Sequence, residues 1–281
     1  MHTISHIQRR KPLAAAVLFA VALFSLPLCA QVGLGLAPMR LEIRMAPGDQ
    51  HSGSVNLTNN SGGKMRIRAE LLDFFIDSED TPQFERENKA EAAYSCRQWL
   101  SVNPMEAEME APAQMPVRYT IHVPADAHEG SYHCAAGFTT LPSAEALAGT
   151  GMRMAVRVVS AFYVVVGNPA IDGGLKEFML ENVPDKDNPK GIWRAVVVMA
   201  NRGRMYFRPT GKLELMDAEG KVIESADFQS LPVLPNREQR FLFPLKVPLG
   251  MGTYTLRARV DIGNGEIQEG KAVVSADLSK K

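Results

Sequence analysis

Cysteine is the residue type in this sequence whose chemistry is easiest to interpret. Cys29 lies in an apolar N-terminal segment, so Cys96 and Cys134 are the two cysteines of the remaining chain. In an exported protein two thiols meet an oxidising compartment, where they are more often paired than free. The sequence therefore predicts a Cys96–Cys134 disulfide, with two buried structural thiols as the alternative.

The other chemically capable side chains do not form a recognisable catalytic or metal-binding pattern. Three histidines between positions 122 and 133 lack the spacing of zinc ligands. Three aspartates between positions 73 and 80 lack the glycine and terminal glutamate of a calcium loop. Glycine-rich phosphate loops, nucleophile elbows and zinc motifs are also missing from the sequence. We therefore expect no metal, no cofactor and no enzymatic activity.

Charge and composition narrow the possible partners. The 281 residues include 31 Lys+Arg and 31 Asp+Glu, giving a formal net charge of zero, and 46% are hydrophobic. A nucleic-acid-binding protein needs a basic face for the phosphates, so this balance argues against nucleic acid as a partner. The length suits one large or two medium domains with a substantial core.

Residues 1–30 have the composition of an export signal. A basic stretch at 9–11 precedes an uncharged apolar run at 13–28, and Leu28-Cys29-Ala30 offers a cleavage site before Gln31. We expect the mature chain to begin near Gln31 and to be located in the periplasm. An uncleaved membrane anchor is the alternative.

The rest of the chain has the pattern of short strands. Polar and apolar residues alternate in Met65–Leu71 and Val117–Val123, and Met152–Val166 is the longest strand-like stretch. A second series of strands between 193 and 262 is separated by turns rich in glycine and asparagine. The segments 87–93 and 143–148 could hold short helices within loops. This spacing predicts an all-β chain of two β-sandwich domains, 31–168 and 169–281, after the signal peptide.

Several motifs of the first domain resemble one known family. They are Leu36-Ala-Pro-Met-Arg40-Leu-Glu-Ile43, Gly53–Ser61, Trp99–Pro104, Val117-Arg-Tyr119 and Gly130-Ser-Tyr132. Together they resemble the periplasmic pilus-assembly chaperones of the chaperone/usher pathway. The resemblance implies two immunoglobulin-like sandwiches, set in an L with a cleft between them. It also implies that the chain caps an exported pilin-like subunit by lending it a strand, with an outer-membrane usher as a further partner.

The same resemblance implies a site for the carboxylate that ends the subunit. Arg40 matches the family's anchor arginine, and guanidinium is suited to binding carboxylate through two parallel hydrogen bonds. The family's second anchor is a lysine just before an aromatic pair, but here Ser160 and Ala161 stand in that place. Arg153 and Arg157 are the upstream candidates to replace it, although Arg157 is expected on the opposite face of the strand from Ser160.

The stretch Met152–Val166 is the predicted donor strand. One face carries an almost wholly apolar row, from which the donor residues are predicted to be Met154, Val156, Val158, Phe162 and Val164. Such a row suits the addition of a strand to a partner's groove. The alternative is a central strand whose row fills the chain's own core. In that case the chain could be an exported structural or adhesive protein without chaperone activity.

Overall fold

A computed structural model describes residues 33–77, 79–141, 155–186, 188 and 191–277. The predicted signal segment, Arg153, Met154 and the expected helix at 143–148 lie outside these residues. The regular secondary structure of the described part is strand, apart from two 3-10 helical segments at Lys89–Tyr94 and Arg97–Trp99. The all-β prediction is therefore confirmed. No helix among the described residues is long and apolar enough to cross a membrane.

The first ten strands form one β-sandwich, here called the first sandwich. One sheet has the order β1-β3-β8-β6, and the other has the order β2-β10-β9-β4-β5 with β7 also paired to β4. The strands are β1 Leu34–Ala37, β2 Arg40–Met45, β3 Gln50–Asn59, β4 Met65–Ile76, β5 Pro82–Glu85, β6 Leu100–Asn103, β7 Glu106–Met109, β8 Ala113–His122, β9 Gly130–Leu141 and β10 Arg157–Val166.

The following seven strands form the second sandwich. Its sheets have the orders β11-β12-β15 and β14-β13-β16-β17. The strands are β11 Gly173–Val183, β12 Ile192–Asn201, β13 Thr210–Met216, β14 Val222–Asp227, β15 Glu238–Pro244, β16 Gly252–Asp261 and β17 Ile267–Ala276. Its core includes Val197, Leu215 and Phe241, and it forms a hydrophobic cluster separate from that of the first sandwich.

Strand β4 shows how the alternation in the sequence becomes structure. Ile67 and Ala69 point into the core of the first sandwich and are almost fully buried. Arg66 and Arg68 point the other way, and both bind Glu106 on β7, at 2.9 and 2.8 Å. These hydrogen bonds, that of Arg68 first, lower the pKa of the Glu106 carboxyl. In the first half of β4 the period of two therefore gives one apolar face and one charged face.

Strand β9 is exceptional because residues 130–138 are buried on both faces. One face contributes Phe138 to the core of the first sandwich. The other face lies in a third cluster, which joins Phe74 and Tyr163 of the first sandwich to Tyr206 and Leu234 of the second. The two sandwiches are therefore held together by an apolar contact and not only by the connecting segment.

Polar contacts fix the same interface. The Ser131 hydroxyl donates to the Arg204 carbonyl at 3.1 Å and accepts from the Tyr206 backbone N–H at 2.8 Å. Further along, the Asp80 carboxylate accepts from the backbone N–H of Arg240 and from the Gln239 amide, both at 3.1 Å. Directional bonds of this kind fix the orientation that the apolar cluster alone leaves free.

The predicted disulfide is confirmed. Cys96 follows the first 3-10 segment and Cys134 lies on β9, with an S–S distance of 2.01 Å and both residues fully buried. The backbone N–H of Cys96 also donates to the carbonyl of His133 at 3.3 Å. The bond thus ties the loop that carries both 3-10 segments to the central strand of the first sandwich.

Removing this bond is expected to destabilise the fold. The disulfide closes a loop with a sequence separation of 38, and constraining a loop of that length in the unfolded chain contributes about 3–4 kcal/mol. Urea unfolding of the protein with and without reductant measures the difference. Equal unfolding midpoints would contradict the prediction, as would two free thiols titrated in the denatured, unreduced protein.

His133 makes the stability depend on pH. Its ring is fully buried on the interface side of β9, 5.7 Å from the Phe74 ring, and its Nε2 has no hydrogen-bond partner among the described residues. Burial lowers the pKa of His133 to about 4, although the nearby Asp73 charge acts in the opposite direction. In the unfolded chain the same imidazole takes up a proton near its ordinary pKa of about 6.5.

Stability should therefore be complete above pH 6.5 and fall as the pH drops towards 4. The loss attributable to His133 is about 3 kcal/mol over this range, because the unfolded state binds a proton that the folded state excludes. The measurement is the free energy of unfolding against pH for the wild type and for His133→Phe, which cannot titrate there. Parallel curves for the two proteins would refute the assignment to His133.

Candidate functional site

The two neighbours of β10 differ in length. Strand β9 pairs with β10 antiparallel along the whole of Arg157–Val166. Strand β2 pairs with it in parallel only from Ala161, opposite Arg40, to Val166. Over Arg157–Ser160, the described part of the chain provides a hydrogen-bonded partner strand on the β9 side alone. The N-terminal part of β10, Arg157–Ser160, here called the upper part, therefore presents an open sheet edge.

The hydrogen bonds show which backbone groups face this edge. The Val156 carbonyl accepts from the Thr140 N–H of β9 at 2.9 Å, whereas the Ala161 N–H donates towards β2, to the Met39 carbonyl, at 2.9 Å. Because backbone groups alternate in direction along a strand, Arg157 and Val159 direct their N–H and C=O groups away from β9. These two residues lie on the side that β2 does not reach.

The apolar row on β10 is divided between two environments. Phe162 and Val164 are completely buried in the core of the first sandwich, and the Ser160 hydroxyl between the two halves donates to the Pro38 carbonyl at 2.9 Å. Val156 and Val158 are only half-buried, and Val158 also packs against the edge of that core. Phe162 and Val164 therefore fill the chain's own core, which agrees with the alternative of a central strand. Val156 and Val158 lie next to the open edge. Met154 lies outside the described residues.

Arg40 lies at the point where the open edge ends. Leu41 and Ile43 of β2 pack against the core, so Arg40 and Glu42 point to the opposite face of the sheet. The Arg40 side chain is about half exposed, and its Nε is 3.3 Å from Oε1 of Glu42. Arg40 thus combines a permanent positive charge with access from solvent.

A second guanidinium reaches this place from the second sandwich. Arg208 lies between β12 and β13, and its guanidinium carbon is 4.9 Å from the Tyr163 ring centroid and 5.8 Å from that of Tyr206. Its Nη1 donates to the Ser230 carbonyl at 2.8 Å, and its Nε is 3.4 Å from Oε1 of Glu42. Arg40, Glu42, Tyr163, Tyr206 and Arg208 are called the cleft cluster below.

The two tyrosines of the cleft cluster remain protonated well into the alkaline range. Burial raises the pKa of Tyr163, and the charge of Arg208 only partly offsets it. Burial also raises the pKa of Tyr206, and the charge of Glu42 and its hydrogen bond raise it further. At neutral pH the cluster therefore contains two cations, one carboxylate and two neutral phenols.

Arg157, one of the predicted helpers of Arg40, lies at a distance from it along the strand. Arg157 is four residues before Ala161, the partner of Arg40, which corresponds to about 13 Å along a strand. It is exposed whereas Ser160 is buried, in agreement with the expected opposite faces. Arg153 is outside the described residues. The structure thus brings Arg208, and not Arg157, close to Glu42 and to Arg40.

The sequence alone does not indicate Arg208 as a site residue. It lies far along the chain from Arg40, in a segment whose sequence has no motif for this role. Only the contact between the two sandwiches places it in the cleft. The aromatic pair Phe162-Tyr163 follows Ala161 in the sequence, and the structure divides it into one core residue, Phe162, and one cleft residue, Tyr163.

Comparison with known proteins finds similarity at the level of structure. No protein-family model matches the chain. No curated protein matches it either. Among solved structures, the class 5 fimbriae chaperone CfaA is 10% identical, with a TM-score of 0.46 over 87% of this chain and 100% of its own.

Two further solved structures show the range of this similarity. The chaperone–tip subunit pre-assembly complex CsuC–CsuE of Acinetobacter baumannii matches with 12% identity and a TM-score of 0.42, over 86% of this chain and 97% of the other. A PapD-like domain of human CEP192 matches with 11% identity and a TM-score of 0.33, over 59% of this chain and 96% of the other. At these identities the likeness concerns the fold alone, so the function is inferred from the chain's own geometry.

Proposed function

We propose that the chain is a periplasmic chaperone that binds an exported, pilin-like subunit. The subunit adds a strand to the open edge of β10, and Arg40 binds the carboxylate at the end of that strand. One observation carries this proposal: the open edge at Arg157 and Val159 runs directly to Arg40. A strand binding site and a carboxylate binding site are thereby continuous.

The backbone chemistry of the edge supports the first half of the proposal. Unpaired N–H and C=O groups at a sheet edge are a template for another strand. The backbone N–H and C=O groups of Arg157 and Val159 point away from β9. The opening ends at Ala161, where β2 begins to pair with β10. An added strand can therefore pair with β10 before Ala161 but not from Ala161 onwards, which limits how far it extends along β10.

The cation at the end of the edge supports the second half. A partner strand that pairs with Arg157 and Val159 reaches the level of Ala161, where Arg40 stands on β2. A chain terminus at that level brings its carboxylate to a guanidinium that is half exposed. Such a pair is charge-assisted and can be bidentate, which makes Arg more suitable here than Lys.

Side chains next to the edge supply apolar contact for the partner. Val156 and Val158 are half-buried at the start of β10, and alternate apolar residues of an added strand supply specificity in this mode of recognition. In an exported structural or adhesive protein these strands would serve its own fold alone. The predicted signal segment and a role for an outer-membrane usher belong to the same proposal.

Isolation of the protein from periplasm tests the proposal. A chaperone of this kind is expected in a one-to-one complex with a small exported protein, and the complex should dissociate when the subunit's last residue is amidated. Recovery of the chain alone, from cells that produce candidate subunits of the same envelope, would favour the structural or adhesive alternative.

Arg40→Ala is expected to abolish most subunit binding while leaving the fold intact. Loss of one charge-assisted hydrogen-bonding partner weakens binding by about 1.5–3 kcal/mol, or about tenfold to a hundredfold. The matched control is Arg118→Ala, which removes an exposed arginine from β8 in the opposite sheet. Calorimetric titration with the purified subunit measures both. Equal affinities for the two variants would exclude Arg40 as the anchor.

Val156→Glu is expected to weaken subunit binding by about tenfold, because a charge enters the apolar contact beside the edge. Its stability should stay close to that of the wild type, since Val156 is only half-buried and precedes the regular part of β10. Val273→Glu, at a position 71% exposed on β17, is the matched control. If Val156→Glu unfolds or fails to accumulate, the residue belongs to the chain's own core and strand donation at this position is wrong.

A further inference from the structure

The Glu42 carboxylate occupies the position between the two guanidiniums of the cleft cluster. Its Oε1 is 3.3 Å from Nε of Arg40 and 3.4 Å from Nε of Arg208. Charge-assisted N–H···O bonds are normally about 2.7–2.9 Å long. The Arg257–Glu214 pair on the outer face of the second sandwich has that length, 2.7 Å. Glu42 is therefore shared loosely between two cations and tightly bound to neither.

Arg208 has an unused donor at this point. Its Nε is buried and has no hydrogen-bond acceptor among the described residues, although Glu42 is within ion-pair distance. A buried N–H without an acceptor is costly, so the site gains from an oxygen placed in better geometry. The Glu42 carboxylate, which also faces Arg40, does not place an oxygen in that geometry at Arg208.

Arg208 does not depend on Glu42 for its position. Its guanidinium lies over Tyr163 and Tyr206, and its Nη1 is bonded to the Ser230 carbonyl. Only 15% of its side chain is exposed, compared with 43% for Glu42. The cation is therefore pre-organised. The Glu42 carboxylate is partly exposed and held by long contacts to the two guanidiniums and by its hydrogen bond with Tyr206, which an incoming carboxylate can replace.

From this arrangement we infer that Glu42 is a built-in carboxylate that occupies the Arg40–Arg208 pair until the terminal carboxylate of a bound chain replaces it. Arg208 is then the second cation of the site, in place of the lysine that the sequence lacks. The inference rests on the proposed function for the identity of the ligand. It adds that both sandwiches contact the ligand's carboxylate and that the empty site is held by an internal competitor.

Replacement of one carboxylate by another conserves the charge balance of the cleft. Before binding, two guanidiniums face one carboxylate, and Glu42 moves to solvent when a second carboxylate enters. Both carboxylates bound together would lie close to each other and repel. Binding of a terminal carboxylate and the inward position of Glu42 are therefore mutually exclusive.

The test uses the full-length mature protein and a small probe, N-acetylglycine, which ends in the carboxylate of a peptide chain. Titrations are followed by NMR at the arginine Nε–H resonances, for the wild type and for Glu42→Gln. Removing the internal competitor should tighten binding by about fivefold, as expected for the loss of an exposed ion pair and of its repulsion. N-acetylglycinamide, which lacks the charge, should cause no shift.

Arg208→Gln is expected to reduce the affinity of the Glu42→Gln protein for the probe at least to that of the wild type, and its backbone spectrum reports whether the fold is kept. Should Arg208→Gln unfold, the wild-type Arg208 Nε–H resonance still decides, because it must shift with N-acetylglycine. Unchanged or weaker binding by Glu42→Gln, or absence of a shift at Arg208, would overturn the inference. Because the probe needs no subunit, this result is independent of the co-purification that tests the proposed function.

Discussion

The difference in length between the two neighbours of β10 determines what this chain can do. Strand β2 begins after Pro38 and ends before Pro47, so its six residues cover only the lower part of the ten-residue β10. Proline has no backbone N–H to donate, so it does not extend a paired strand readily. The edge of β10 is therefore open before Ala161 and covered by β2 from Ala161 onwards. A single strand thus belongs to the protein's own core at one end and is available to a partner at the other.

The contact between the sandwiches supplies the second cation beside the open edge. Strand β9 is buried on both faces because Tyr206 and Leu234 of the second sandwich pack on its outer side. The same segment continues to Arg208 and places its guanidinium over Tyr163. The apolar interface thereby positions a cation from one sandwich beside the strand edge of the other. Rigid support of this kind keeps a binding group in place before the ligand arrives.

Part of this arrangement could be read from the sequence. The alternation in β4 and β8 predicted strands because only a period of two gives such segments one apolar face. The Cys96–Cys134 bond was predictable because two cysteines remain outside the apolar N-terminal segment. The alternation also placed Arg157 opposite Ser160, as observed.

The parts that could not be predicted depend on contacts between distant segments. Periodicity gives Phe162 and Val158 the same face, but it does not tell where β2 stops covering the strand. The pairing of Glu42 with Arg208 arises from the way the two sandwiches meet, and no local motif links the two residues. The sequence indicates cations near Phe162 only along the same strand, whereas in the structure the second cation, Arg208, comes from the other sandwich.

Amide hydrogen exchange in the subunit complex tests the central claim most directly. In the free protein the N–H groups of Arg157 and Val159 face the open edge, while that of Ala161 is bonded to the Met39 carbonyl. If a subunit strand pairs with this edge, exchange at Arg157 and Val159 should slow strongly on binding, and exchange at Ala161 should change little. Unchanged exchange at both residues in a stable complex would contradict strand addition at β10.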